Sequence, residues 1–153
     1  MKLEEVLKTS KFADERHKAT LNILYTAYWL KNNFSMVLKE TGITMEQFNV
    51  LRILKGKHPE QMCVKDIASR IIEKNSNVPR IIDRLIVKKL VKRTPSKEDK
   101  RETLVSLTDK GLEQLEAANK ELNSMDAQIN GIDNEDARAL NELLEKMRIN
   151  ETI

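Results

Sequence analysis

From about Lys11 to Glu40 the chain has neither Gly nor Pro, and Leu21, Leu24, Tyr25, Tyr28, Trp29, Phe34, Val37 and Leu38 return largely at three- and four-residue spacing. That period predicts one long helix with an apolar stripe. Its thirty residues would reach ~45 Å at about 1.5 Å per residue. A small domain does not cover such a length, so part of the helix is expected to pack on another subunit. Thr41-Gly42-Ile43-Thr44 then supplies a Gly stop and a Thr N-cap for a second helix carrying Phe48, Leu51, Ile53 and Leu54, ending near Gly56 and Pro59.

After the short apolar stretch Met62-Cys63-Val64, the segment from Lys65 to Glu73 places Ile67, Ala68, Ile71 and Ile72 on one face of a third, short helix. The polar break Glu73-Lys74-Asn75-Ser76-Asn77 leads into a fourth, whose Val78, Ile81, Ile82 and Leu85 follow i, i+3, i+4, i+7 and predict a buried stripe. Pro79 fits the first turn, where its missing N–H leaves no bond unmade, so this helix is expected to start at about Ser76 to Val78.

Beyond Leu90 the period changes to that of strands. Val91 to Thr94, a charged loop Pro95 to Arg101, and Glu102 to Leu107, with Thr103, Val105 and Leu107 on one face, predict a β-hairpin. Thr108-Asp109 then caps a further helix carrying Leu112, Leu115, Leu122, Met125 and Ile129. Gly131 ends it, Asp133 caps the last helix, and Leu140, Leu143, Leu144 and Met147 form that helix's apolar face.

The expected fold class is therefore mainly α with a small β-hairpin wing: a winged helix-turn-helix over 62–109, and a helical dimerisation lobe from 1–41 and 110–153, within one domain of 153 residues. The longest uncharged stretch near the N-terminus, Ala19 to Leu30, falls short of the ~20 apolar residues of a membrane span. The opening Met1-Lys2-Leu3-Glu4-Glu5 does not have the pattern of a secretory signal, so a cytoplasmic location with no membrane partner is expected. The single Cys agrees with that compartment.

Charge alters this picture more than composition does. The net +3 conceals 10 basic and 7 acidic residues over 1–63, 13 and 7 over 64–110, and 4 and 10 over 111–153. A basic middle beside an acidic tail points to a polyanion facing the predicted helix-turn-helix. Burial of the Val78 and Leu85 stripe turns Ser76, Asn77, Arg80 and Arg84 to solvent, with Asn75 and Pro79 at the same end. Arg can pair with guanine O6 and N7, Asn with adenine N6 and N7, and Ser with phosphate beside a helix N-terminus. At the hairpin tip Lys97, Lys100 and Arg101 can follow phosphates and enter a minor groove, while Asp99 can orient a basic side chain or form the turn.

Ile81-Ile82-Asp83-Arg84-Leu85, Leu90-Val91-Lys92-Arg93, Asp99-Lys100-Arg101 and Val105-Ser106-Leu107-Thr108-Asp109-Lys110-Gly111 stand in the order and spacing of one family. In them the chain resembles the multiple-antibiotic-resistance regulators, the MarR family of winged-helix transcription factors, specifically over roughly 62–111. The resemblance implies a homodimer on a pseudo-palindromic operator in double-stranded DNA, acting as a ligand-responsive repressor. It likens Arg101 to the wing Arg that enters the minor groove and Asp99 to its partner. Three departures stand out: Pro79 replaces a frequent Ser or Thr that contacts DNA, the turn Ile72 to Asn75 lacks the small residue often found there, and Lys89 stands where Gly usually follows the recognition helix. A left-handed cap at Lys89 would cost ~1 kcal/mol, or the turn must differ.

Some members of that family bind small aromatic compounds between their lobes, and Tyr25, Tyr28 and Trp29 are the candidates to line such an effector pocket, although an aromatic cluster at helical spacing is more commonly core or dimer interface. The other readings are a winged-helix module for protein contact alone, and a thiol-based redox sensor using Cys63. An enzyme is not expected: His17, His58 and Cys63 are too scattered for a catalytic constellation or a zinc pattern, and no cofactor or metal is inferred.

Overall fold

A computed structural model of the chain describes residues 1–97, 102–129 and 131–151, without the side chains of 127–129. The elements are α1 (Leu3–Leu7), α2 (Glu15–Glu40), α3 (Met45–Lys55), β1 (Met62–Cys63), α4 (Val64–Arg70), α5 (Val78–Val87), β2 (Val91–Pro95), β3 (Thr103–Leu107), α6 (Asp109–Ile129) and α7 (Asn134–Met147). The chain divides into two compact units, Met1–Leu122 and Asn123–Ile153.

In the first unit, α2 starts later than the apolar pattern suggests, because the Asp14 side chain accepts from His17 N at 2.7 Å and fixes the N-cap there. It ends as predicted: Gly42 takes φ 75°, Gly42 N donates to Lys39 O, and Ile43 N donates to Leu38 O. Those paired bonds and the burial of both Leu38 and Ile43 make a Schellman stop. Two residues on, Thr44 and Gln47 exchange side-chain to backbone hydrogen bonds in a capping box that opens α3.

Leu51, Leu54, Ile67, Ile82, Leu85 and Val105 are fully or almost fully buried and lie in one cluster, so α3, α4, α5 and β3 share a core. The sheet has three antiparallel strands in the order β1-β3-β2, since Met62 pairs with Val105 and Val91 with Leu107. The predicted hairpin is thus joined by a strand drawn from the apolar stretch at Met62. Ser106, on the face opposite Val105, is buried as well, and its hydroxyl has no partner among the described residues.

The third predicted helix is corrected at its C-terminal end. It stops at Arg70, Ile71 turns extended (φ −76°, ψ 136°), and Ile72 is 80% exposed instead of sharing the apolar face. Once Ile71 is pulled into the core with the chain leaving the helix, its neighbour must point outward. In α5, Val78, Ile82 and Leu85 are buried and Ile81 is partly so, as the period predicts. In the second unit, α7 is capped by Asp133, which accepts from Glu135 N and Asp136 N, and it has no buried residue.

Candidate nucleic-acid interface

Asn77 Oδ1 accepts from Arg80 N at 3.1 Å, so the side chain that sequence reasoning offered to a base also caps α5. Its amide nitrogen remains available to the outside. Asn75, Ser76, Asn77, Arg80 and Arg84 line one cleft of 360 Å³ with Glu46 of α3 and Glu73 of the turn. Pro79 is exposed in the first turn of the same helix. Neither Arg80 nor Arg84 has an ion-pair partner among the described residues, leaving two guanidiniums one helical turn apart and turned to solvent. Such a surface offers planar, bidentate donors and a helix N-terminus to a polyanion.

Several polar links that the sequence did not disclose hold this helix. Arg93 Nη2 of β2 meets Asp83 Oδ1 of α5 at 2.9 Å. Lys31 Nζ of α2 meets Glu73 Oε1 at 2.6 Å, and that pairing holds the Lys31 ammonium above the usual lysine range. At the other end of α5, Lys88 Nζ donates to Gly42 O at 2.6 Å and to Gln47 Oε1 at 2.9 Å. Glu46 is held below the usual carboxylate range, first by the Thr44 hydroxyl, then by its own backbone N–H, with smaller help from Lys31 and Arg84. Charge partners so far apart in sequence leave no periodic trace; only the apolar pattern that brings their elements together could have hinted at them.

Of the two alternatives at Lys89, the left-handed cap is the one present. Lys89 has φ 61°, Lys89 N donates to Ile86 O, and Leu90 N to Leu85 O. A residue with a Cβ therefore occupies the position that Gly usually takes, and the turn keeps its Schellman form. Of the hairpin-tip candidates, Lys97 is exposed, whereas Asp99, Lys100 and Arg101 lie outside the described residues. The hairpin is closed on the near side by Ser96 N donating to Glu102 O at 3.0 Å.

The aromatic candidates stand on α2, with Tyr25 half-buried, Tyr28 64% exposed and Trp29 37% exposed. Cys63 is half-buried and its sulfur caps α4 by accepting from Asp66 N at 3.4 Å. Among the described residues no group of three or more His, Cys, Asp or Glu could hold a metal ion, and no helix is long and apolar enough to cross a membrane.

Comparison with known proteins bears on what this surface is. The HTH-type transcriptional regulator YdgJ of Bacillus subtilis is 32% identical over 111 residues, which are 72% of this chain and 66% of that relative's length. Sco5413, a MarR family transcriptional regulator from Streptomyces coelicolor, superposes with a TM-score of 0.75 at 26% identity, over 86% of this chain and 91% of that one. The fold is also that of MepR from Staphylococcus aureus in its complex with DNA, at a TM-score of 0.76 and 22% identity, over 86% of this chain and 97% of that one. YdgJ and Sco5413 are both transcriptional regulators by name. Residues 32–118 match the family model described as transcriptional regulator SarA/Rot. The chain belongs to that family, and it is a transcriptional regulator of the MarR-like winged-helix type.

Proposed function

We propose that the chain acts as a homodimeric repressor that binds a pseudo-palindromic operator in duplex DNA, with α5 in the major groove. The observation that carries this reading is the cleft at the N-terminal end of α5, where Arg80, Arg84 and the turn Asn75-Ser76-Asn77 share one exposed surface. The basic middle of the chain supports it, as does the DNA bound by MepR. Arg80 and Arg84 address guanine or phosphate, Asn75 and Asn77 adenine, and Ser76 phosphate, while Pro79 shapes the first turn against the backbone. Lys97, Lys100 and Arg101, with Asp99 orienting Arg101, reach the flanking minor groove.

Dimerisation uses the helices of 1–41 and 110–153, consistent with Leu140, Leu143 and Met147 of α7 at 45%, 61% and 56% exposure and with Leu24 and Met36 of α2 both at 62%. A protein of 17.7 kDa should scatter as twice that mass at micromolar concentration. A small aromatic effector would meet Tyr25, Tyr28 and Trp29, and their exposure means that a second copy must supply the opposite wall.

The test is fluorescence anisotropy of a labelled duplex at two salt concentrations, with and without excess competitor DNA. Specific binding resists competitor, and phosphate contacts make affinity fall steeply with salt. Arg80→Ala should cost ~1–3 kcal/mol and relax one position in each half-site if it reads a base. Binding that competitor abolishes, or that salt leaves unchanged, would remove operator reading and leave a protein-contact module.

A further inference from the structure

Asp83 is an acidic residue on the surface of α5 that carries Arg80 and Arg84, at 61% side-chain exposure. An acceptor-only group in that place opposes phosphate and is not what a purely phosphate-gripping helix would use. It also has a partner. Arg93, from β2, holds Oδ1 at 2.9 Å and is itself 37% exposed, while Oδ2 has no hydrogen bond among the described residues. Arg93 therefore neutralises the carboxylate and orients it, leaving one oxygen as an acceptor on the outward surface beside Arg80, Arg84 and the 82% exposed Val87.

Resting on the DNA-reading role of α5, we infer that Asp83 is a specificity-determining residue that accepts from the N4 amino group of cytosine, with Arg93 as its positioning residue. In the major groove, guanine O6 and N7 and thymine O4 are acceptors and repel a carboxylate, and cytosine N4 is the donor that suits it. Adenine offers N6 beside the acceptor N7, an edge that an amide matches and a carboxylate does not. Arg80 and Asp83 together then read opposite members of neighbouring guanine–cytosine pairs by opposite chemistry. The Arg93 pair brings no net charge to the DNA, so its loss exposes an anion instead of merely deleting a cation.

The experiment selects binding sites from a randomised duplex library with the full chain and with Asp83→Asn, Asp83→Ala, Arg93→Ala and the double Asp83→Ala/Arg93→Ala variant. Circular dichroism melts accompany each protein. The wild type should select cytosine at one position of each half-site. Asp83→Asn, which is nearly isosteric, should move that position alone toward adenine, and Asp83→Ala should leave it without preference. On the selected duplex, Arg93→Ala should weaken binding about tenfold, and adding Asp83→Ala should restore most of the loss. If the wild type selects no sequence, the reading role of α5 fails and this inference falls with it. If the wild type selects a site and Asp83→Asn selects the same one, operator binding stands and Asp83 reads nothing. Equal affinity of Arg93→Ala and the double variant would make Arg93 a phosphate contact and overturn its positioning role.

Discussion

Gly111, in the first turn of α6, lies so close to the carbonyl of Leu90 that a Cβ built on it would stand 2.0 Å from that oxygen and 3.0 Å from its carbon. Thr108 reinforces the approach, its hydroxyl donating to Lys89 O at 2.8 Å and accepting from Gly111 N at 3.0 Å. The start of α6 is thereby seated directly on the turn that ends α5.

Gly111→Ala should therefore destabilise the fold although alanine is the better helix former. Propensity favours Ala by about 1 kcal/mol, but the clash is with backbone and not with a flexible side-chain tip. Overpacking of this kind costs roughly 1–3 kcal/mol. Urea denaturation with a lowered midpoint and unchanged slope is the expected result; a raised midpoint would mean that α6 can lift off Leu90 freely.

Lys89→Gly should act in the opposite sense. The lysine is exposed and holds φ 61°, so removing its Cβ relieves left-handed strain without deleting a buried contact. A gain of up to ~1 kcal/mol in denaturation free energy is expected, offset by the greater freedom of Gly in the unfolded chain. Lys89→Ala should give no such gain, because alanine keeps the Cβ.

Two substitutions at Asn77 should separate its capping from the base contact proposed for it. Asn77→Ala removes the acceptor of Arg80 N and should lower stability by about 1 kcal/mol. Asn77→Ser keeps a capping oxygen but loses the amide nitrogen, so its stability should stay near that of the wild type. Weaker or less selective DNA binding in the Ser variant then reports a base contact. Unchanged binding confines Asn77 to the cap.

Glu46 gives a stability term with a definite pH sign. Its folded pKa lies below the usual glutamate value of 4.5, chiefly through the Thr44 hydroxyl. The carboxylate form thus favours folding above that value, and the contribution is lost as pH falls through the lowered folded pKa. The stability difference between wild type and Glu46→Gln should be largest near neutrality and shrink below about pH 4.5. A difference that stays constant from pH 7 to pH 3 would show that the carboxylate charge is not what matters.

Elements with a local cause were legible in the sequence. Gly42 and Thr44 mark a stop and a start two residues apart because capping satisfies the helix's own unpaired groups. The α5 stripe was equally clear, since one face of that helix is core and the other solvent. What escaped has distant causes. The two-residue strand at Met62 exists only because β3 lies beside it, and Ile72 is exposed because Ile71 leaves the helix for the core. Five residues of α1 are too few to display a period. Within the candidate interface, the residue types on α5 could be read, but the bonds from Arg93 and Lys31 required the fold to bring β2 and α2 alongside.

The bonds around Lys88 anchor the C-terminal end of α5. Lys88 Nζ reaches Gly42 and Gln47, Lys110 Nζ donates to Lys88 O at 3.2 Å, and Thr108 holds Lys89 O, so the ends of α2 and α5 and the beginnings of α3 and α6 are tied at one point. Ahead of α5, Glu73 of the preceding turn pairs with Lys31 of α2 across an exposed surface. Ten residues of helix carry the chain about 15 Å from that tied end to Asn77. Because Val78 beside it is buried with Ile82 and Leu85, the N-terminal turn of α5 is seated from below while its other end is tied from the sides, and Asn77 and Arg80 are presented outward from a helix anchored along its whole length.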